Sequence, residues 1–305
     1  MSRINVTVYT DCIDKFNNGE LLTKGNCELI LNHLYDAFMS RFNTAANIED
    51  VVLYTDEDKL LWTILIENAV KTVEKYGRPF SVDEAKSFYG WHFCVIHDAK
   101  LAGMESTSSS NLVNKFCQEN QQITDSICFH CFAAALMNAR GSMKKPYTIN
   151  FLLLNFQVLP ICILPMINRQ YERIESFGDV ASVIQATNYI NLTQAHEINR
   201  NCRFGVWSKN AYMYFVVFDR QGKPNNVSFG VSSLFINHEN WIPKKYIHYV
   251  DFLFTVFDSV QAAAEKGLSI NCGARHCLSC LRCYNARDNK PENGYIHVIE
   301  LLKNI

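Results

Sequence analysis

Arg203-Phe-Gly-Val-Trp-Ser-Lys-Asn-Ala-Tyr-Met-Tyr-Phe-Val-Val-Phe-Asp219 reads as a strand, a turn and a helix in succession. Arg203 to Trp207 is short and apolar, it stops at Ser208, Lys209 and Asn210, and Ala211 to Asp219 takes up helical character. The unit recurs on both sides. Upstream, Arg173 to Ser176 is a short strand stopping at Phe177-Gly178-Asp179. Ala181 to Asn199 then places Val183, Ile184, Ala186, Ile190 and Leu192 at helical spacing. Downstream, Val227 to Phe235 is a strand ending near Ser232 and Ser233, and Asp251 to Phe257 is another ending at Asp258. A short helix at Gln261 to Lys266 leads into Leu268 to Asn271. Repeated strand–helix units predict an α/β fold with a parallel sheet, open or wound into a partial (β/α) barrel.

Ligands of such sheets collect at the carboxyl ends of the strands. The polar residues there are Glu175, Ser176, Asp179, Ser208, Lys209, Asn210, Ser232 and Ser233. Each alone also reads as a helix cap, an ion-pair partner or a turn residue. Asp179, just before a helix, suits a cap as well as a ligand. Lys209 and Asn210 suit the mouth of a site best.

On the amino-terminal side, Ser87 to Ile96 is aromatic and β-branched and predicts a strand, followed by a polar loop from Lys100 to Ser110. Helices are predicted from near Cys128 through Met137 and over Pro146 to Gln157. Residues 1–85 form a small α-rich module, with 86–305 as the barrel-like domain. Within the module Ile4 to Tyr9 alternates like a strand, and Asn26 to Phe42 and Glu57 to Tyr76 are helical. Gly77, Arg78 and Pro79 end the second helix. Core packing accounts for this module.

Seven of the twelve cysteines fall in two knots. Cys272, Cys277, Cys280 and Cys283 sit within twelve residues, and Cys117, Cys128 and Cys131 end in Cys-Phe-His-Cys. Dense thiolates suit tetrahedral zinc or an iron–sulfur cluster, and the spacing leaves both open. Three cysteines leave one position of a cluster or a zinc free for chemistry. His130 and His276 are spare ligand candidates, His276 reading more simply as exposed. Both knots follow strands, so they can face one mouth. Cys12, Cys27, Cys94, Cys162 and Cys202 are scattered, as buried thiols are.

A formal net charge of −1 excludes a global basic field for nucleic acid or membrane. The amino terminus lacks the apolar core of a signal peptide, so the expectation is a reducing, cytoplasmic compartment, where clustered cysteines favour metal over disulfides. The apolar run from Thr148 to Met166 is broken by Asn150, Asn155, Gln157, Pro160 and Pro165. A span needs about 20 mostly apolar residues, and no membrane segment is expected.

Several segments carry a resemblance in a fixed order. They are Lys100-Leu-Ala-Gly-Met-Glu-Ser-Thr-Ser108, Asn114-Lys-Phe-Cys117, Ser126-Ile-Cys-Phe-His-Cys-Phe-Ala-Ala134, Arg173-Ile-Glu-Ser-Phe-Gly-Asp179 read across Arg173 to Asp179, Phe204-Gly-Val-Trp-Ser-Lys-Asn210, and Cys272 through Tyr284. Together, over about residues 90–285, they resemble the gene-product-eighty-eight family of phage and mobile-element proteins. More distantly that family resembles radical-SAM enzymes, whose partial barrel holds a three-cysteine [4Fe–4S] cluster after its first strand. The gaps here are ten and two residues, whereas radical-SAM enzymes use three and two.

The resemblance implies a [4Fe–4S] cluster on Cys117, Cys128 and Cys131, whose open iron chelates S-adenosylmethionine. Glu175, Ser176, Asp179, Ser208, Lys209 and Asn210 would hold that cofactor. Cys272, Cys277, Cys280 and Cys283 would hold an auxiliary cluster or a structural metal closing the barrel. The expected reaction is reductive cleavage of S-adenosylmethionine and hydrogen abstraction from an unidentified substrate, with nucleic acid or a host protein as partner. A phage-encoded chain would work in the host cytoplasm. The competing expectation is a non-enzymatic protein stapled by zinc or a cluster, presenting a surface to nucleic acid or a host defence component.

Overall fold

The computed structural model describes residues 6–302, apart from residues 98, 274 and 293. The chain opens with helices α1 (Val6–Asn17), α2 (Lys24–Thr44), α3 (Asp56–Tyr76) and α4 (Val82–Tyr89). Strands β1 (Phe93–Val95) and β2 (Glu105–Thr107) follow, then α5 (Lys115–Gln121), α6 (Phe132–Ala139) and α7 (Gly141–Phe156). Next come β3 (Tyr171–Ile174), α8 (Val183–Gln194), α9 (Glu197–Arg200), β4 (Arg203–Ser208), α10 (Tyr212–Gln221), β5 (Val227–Ser232) and β6 (Phe252–Phe257). The chain finishes with α11 (Val260–Glu265), α12 (Cys277–Cys280), α13 (Ala286–Asn289) and β7 (Ile296–Leu301). Among the described residues, seven strands lie in one sheet in the order β1 to β7. β1 pairs antiparallel with β2, and every later pair is parallel. This is the α/β, barrel-like parallel arrangement that the strand–helix repeats predict.

Sequential order decides which face does what. Crossovers between parallel strands share one hand, so connections between successive neighbours fall on the same face. There Ile174, Phe204, Val206, Phe229, Val231 and Leu253 join one buried cluster with Tyr189 and Ile190 of α8 and Tyr214 and Phe218 of α10. The same cluster continues through α7 into Leu31, Leu34, Phe38, Leu61, Trp62 and Leu65 of the amino-terminal helices. Burying each such side chain contributes about 1.5–3 kcal/mol. The other face is lined by alternate residues and carries a second cluster of Trp207, Phe252, Tyr284, Ala286 and Val298. Gly205 and Gly230 make room for it. A Cβ on Gly205 would lie 2.6 Å from both the Trp207 and Tyr284 rings, and one on Gly230 would lie 2.0 Å from Phe252.

The open side of the sheet is closed without a strand. Lys100, between β1 and β2, reaches Glu300 of β7 at 2.6 Å. Asn271 and Cys272 donate their backbone N–H groups to the carbonyl of Ile299. Leu278 of α12 rests over Gly103, where a Cβ would come within 3.0 Å of it. The four-cysteine segment therefore bridges the two sheet edges.

Four local expectations differ from the structure. Val6 to Tyr9 is helical, because Tyr9, Cys12, Ile13 and Phe16 share one helix face against the core; Ile4 lies outside the described residues. Ser87 to Ile96 is split. Ser81 and Glu84 form a capping box that starts α4, and left-handed Gly90 ends it, so only Phe93–Val95 is strand. The polar loop from Lys100 contains β2, whose short run pairs with both neighbours. Finally, Ile296–Leu301 beyond the cysteines is β7, which the sequence reading did not include. No helix among the described residues is long and apolar enough to cross a membrane. Much of the Thr148 to Met166 run is α7, whose Phe151 to Leu154 are all buried.

Candidate functional site

β2 ends at Thr107, and the chain enters a fully buried turn of Ser108, Ser109, Ser110 and Asn111. One side chain and the backbone of α7 replace the missing ladder bonds. Asn150 donates Nδ2 to the Ser108 carbonyl at 2.8 Å, and Ser110 N–H reaches the Tyr147 carbonyl at 3.0 Å. α5 then carries Cys117 inward, where it is buried. The second part of this set is a tight turn: Cys128 N–H bonds Ser126 Oγ at 2.9 Å, and Cys131 N–H bonds the Cys128 carbonyl at 3.1 Å. Cys128 is buried, Cys131 is half-buried, and α6 begins one residue later. The three cysteines thus sit in the connection after the first parallel strand, β2, Cys117 on α5 and the other two on the turn before α6, and not after a strand spanning Ser87 to Ile96.

The polar residues at the ends of β3 and β4 form a brace. Glu175 takes a left-handed φ of 55°. Its buried carboxylate accepts from Ser109 N–H at 3.0 Å, Ser109 Oγ at 2.6 Å, Gln185 Nε2 at 2.8 Å and Tyr189 Oη at 2.6 Å. Asp179 accepts from Ser208 Oγ at 2.6 Å, Lys209 N–H at 2.7 Å and Val180 N–H at 2.8 Å. It ties β3 to β4 and does not cap α8; that cap is Ser182, whose Oγ accepts from Gln185 N–H. Asn210 donates to the Val180 carbonyl at 3.0 Å. Ser176 bonds Ser106 and Ser108 Oγ at 2.9 and 2.8 Å. Ser233 is buried against Val256 N–H. Ser176, Lys209 and Ser232 face the cavity, as do the braced Glu175 and Asp179.

Charge follows geometry. Burial pushes the Cys117 and Cys128 thiols up, with Asp179 and the neighbouring cysteines adding to it and Lys209 opposing. Burial would lower the Lys209 ammonium, but Cys128, Asp179, Cys131 and Cys117 hold it above its ordinary value. A metal binding such thiols displaces their protons.

The second set lies on the other side of the same opening. Cys272, Cys277 and Cys283 are half-buried, and Cys280 and His276 are exposed. Burial pushes Cys283 up to about 12, with Cys272 adding to it and Arg173 pulling it back. Lys100 Nζ stands 3.6 Å from Cys272 Sγ. Arg173 stacks its guanidinium 3.4 Å from the Trp207 ring centroid. A thiolate centre carries net negative charge, and Lys100 stands where that charge would develop.

Both sets open on one cavity of about 310 Å³ at the carboxyl ends of the parallel strands. Cys117, Cys128, Cys131, Cys272, Cys277 and Cys283 all line it, with Trp207 and Phe254 on its apolar side. His130 lines it too, exposed and edge-on to Phe129. All twelve cysteines are free thiols. Among the described residues no group of His, Cys, Asp and Glu side chains is arranged to hold a single metal ion. The donors on both sides of the cavity are thiols, which suit zinc and iron–sulfur clusters alike.

Arg173, Lys100 and Glu300 were not singled out as site residues by sequence. Arg173 carried a signal, a charged residue inside a strand of a parallel sheet, where both faces are normally apolar. Lys100 and Glu300 carried none, since they meet only when the sheet curls. No protein-family model matches this chain, and comparison with curated proteins and with solved structures finds no match.

Proposed function

We propose that this chain is an iron–sulfur protein of the radical-SAM type, in which Cys117, Cys128 and Cys131 hold a [4Fe–4S] cluster. The observation that carries this reading is the convergence of six of these seven cysteines on one cavity, with the three-cysteine set in the connection after the first of six sequentially ordered parallel strands. When bound, the cluster supplies a single electron and an open iron for the amino and carboxylate groups of S-adenosylmethionine. The chain's own contribution is positional. Lys209 presents a cation beside the three thiols, and Asp179 fixes its backbone through the 2.7 Å bond from Lys209 N–H. Ser176 offers a hydroxyl to the cavity. Trp207, Phe177 and Phe254 exclude water, which protects a reactive intermediate from side reactions. Cys272, Cys277, Cys280 and Cys283 hold a second centre that also bridges the sheet edges. The resemblance of the ordered motifs to phage and mobile-element proteins is what points to a nucleic-acid or host-protein substrate.

The closing of the sheet by the four-cysteine segment favours a second reading for that set alone, a structural staple of zinc or a cluster. One experiment separates the readings. Protein purified without oxygen is expected to carry about four to eight irons per chain with matching sulfide. Cys128→Ala is expected to lose one cluster's iron and keep its far-ultraviolet circular dichroism. One or two zincs without sulfide would overturn the radical-SAM reading and leave a zinc-stapled binding protein.

A further inference from the structure

We propose that Arg173, with Ser176 beside it, is a subsite for an oxyanion on the substrate, a carboxylate or a phosphate. The proposal deepens the functional reading and rests on it for the identity of the cavity as the reaction chamber.

Arg173 lies on the inner face of β3, two residues short of Glu175 and so below the brace at the strand ends. Its guanidinium lies over the Trp207 ring, 3.4 Å from the centroid, a contact that restrains the fork. Nε donates to the Glu175 carbonyl at 3.4 Å, and the Tyr284 phenol and the Cys277 and Cys283 thiols are its neutral polar neighbours. Among the described residues no carboxylate pairs with it; Glu175 and Asp179 are consumed by their own donors, and Glu300 is held by Lys100. A partly buried guanidinium without a carboxylate is expensive unless an anion completes it. Arg173 lines the cavity, so a ligand there can reach its guanidinium.

The neighbouring hydroxyls complete the subsite. Ser106 is paired in register with Arg173 across β2 and β3. Ser106, Ser108 and Ser176 bond one another at 2.8–3.2 Å. Of the three, Ser176 borders the cavity next to Arg173. Bonded hydroxyls polarise one another, which makes the Ser176 O–H a good donor to an oxyanion. A planar fork plus a hydroxyl recognises carboxylate or phosphate oxygens. Lys209 does not duplicate this role, because its charge neighbours are Cys117, Cys128, Cys131 and Asp179.

The test is titration of anaerobically purified full-length protein with inorganic phosphate, and separately with acetate, by calorimetry at constant ionic strength. Arg173→Met is expected to weaken binding at least tenfold and Arg173→Lys to weaken it less. Tighter phosphate binding assigns a phosphoryl group to the substrate, and tighter acetate binding assigns a carboxylate. Equal binding by wild type and Arg173→Met overturns the proposal. So does loss of metal from the second cysteine set in Arg173→Met with anion binding unchanged, which would make Arg173 a counter-charge to Cys277 and Cys283. Iron and sulfide measured on the same samples separate the two readings. Clusters without Arg173-dependent binding remove the subsite alone, and Arg173-dependent binding without iron removes the radical-SAM reading alone.

Discussion

Glu172 is a carboxyl inside an apolar layer. It points from β3 away from the cavity, fully buried, with one oxygen 3.0 Å from Arg169 and the other without a hydrogen-bond partner. Arg169 is shared, since it also holds Glu105 of β2. Burial pushes Glu172 up to about 8, and Arg169 pulls it back only in part. A carboxyl whose folded value lies above its ordinary 4.5 favours the fold most when protonated. Its contribution is present below that ordinary value and is lost as pH rises toward about 8. Glu172→Gln cannot ionise and should lose this dependence. Urea midpoints should therefore show wild type weakening relative to Glu172→Gln between about pH 5 and pH 8; parallel profiles would mean that Arg169 neutralises the site completely.

At the scale of elements, the hand-over from α4 to β1 depends on one residue. Gly90 stops the helix at a φ of 84°, a conformation that glycine adopts without a Cβ clash. It is also a packing point. A Cβ there would lie 2.7 Å from both Ile149 of α7 and Leu31 of α2. Left-handed strain and overpacking act together, so Gly90→Ala should cost roughly 2–4 kcal/mol. Thermal melting checks this, and a shift of under a degree would show that the helices can move apart at that point. The aromatic residues of this segment, Phe88, Tyr89, Trp91 and Phe93, read as strand. Helix caps at both ends of α4 outweigh that preference, because caps satisfy backbone groups that propensity ignores.

At the scale of the molecule, the two sheet edges meet through Lys100 and Glu300. Burial alone would lower Lys100, but Glu300 and the Cys272 and Cys277 thiols outweigh it and raise its pKa. Removing one partner strands the other charge in a largely buried place. Lys100→Met should therefore destabilise the fold by about 2–4 kcal/mol. Lys100→Met with Glu300→Leu should recover part of that loss, giving a coupling of about 1–3 kcal/mol. Denaturant midpoints of the two single variants and the double variant measure it, and strict additivity would show that the edges are held by the cysteine segment alone.

The parallel sheet was legible in the chain because Arg203–Trp207, Val227–Phe235 and Asp251–Phe257 are apolar runs punctuated by polar strand ends, and that local alternation carries its own period. The two cysteine sets were legible because thiol spacing is a local property. β2 and β7 escaped notice for opposite reasons: β2 is three residues long and lives on its neighbours' hydrogen bonds, and β7 follows a segment whose cysteines dominate the reading. Only the tertiary structure decided that Glu175 and Asp179 brace the strand ends, that Cys280 faces solvent, and that Arg173 looks into the cavity on which both cysteine sets converge. The physical reason is that side-chain direction at a strand end, and the meeting of residues some two hundred positions apart, depend on how far the sheet curls. That curl belongs to the packed whole and to no single stretch of the chain.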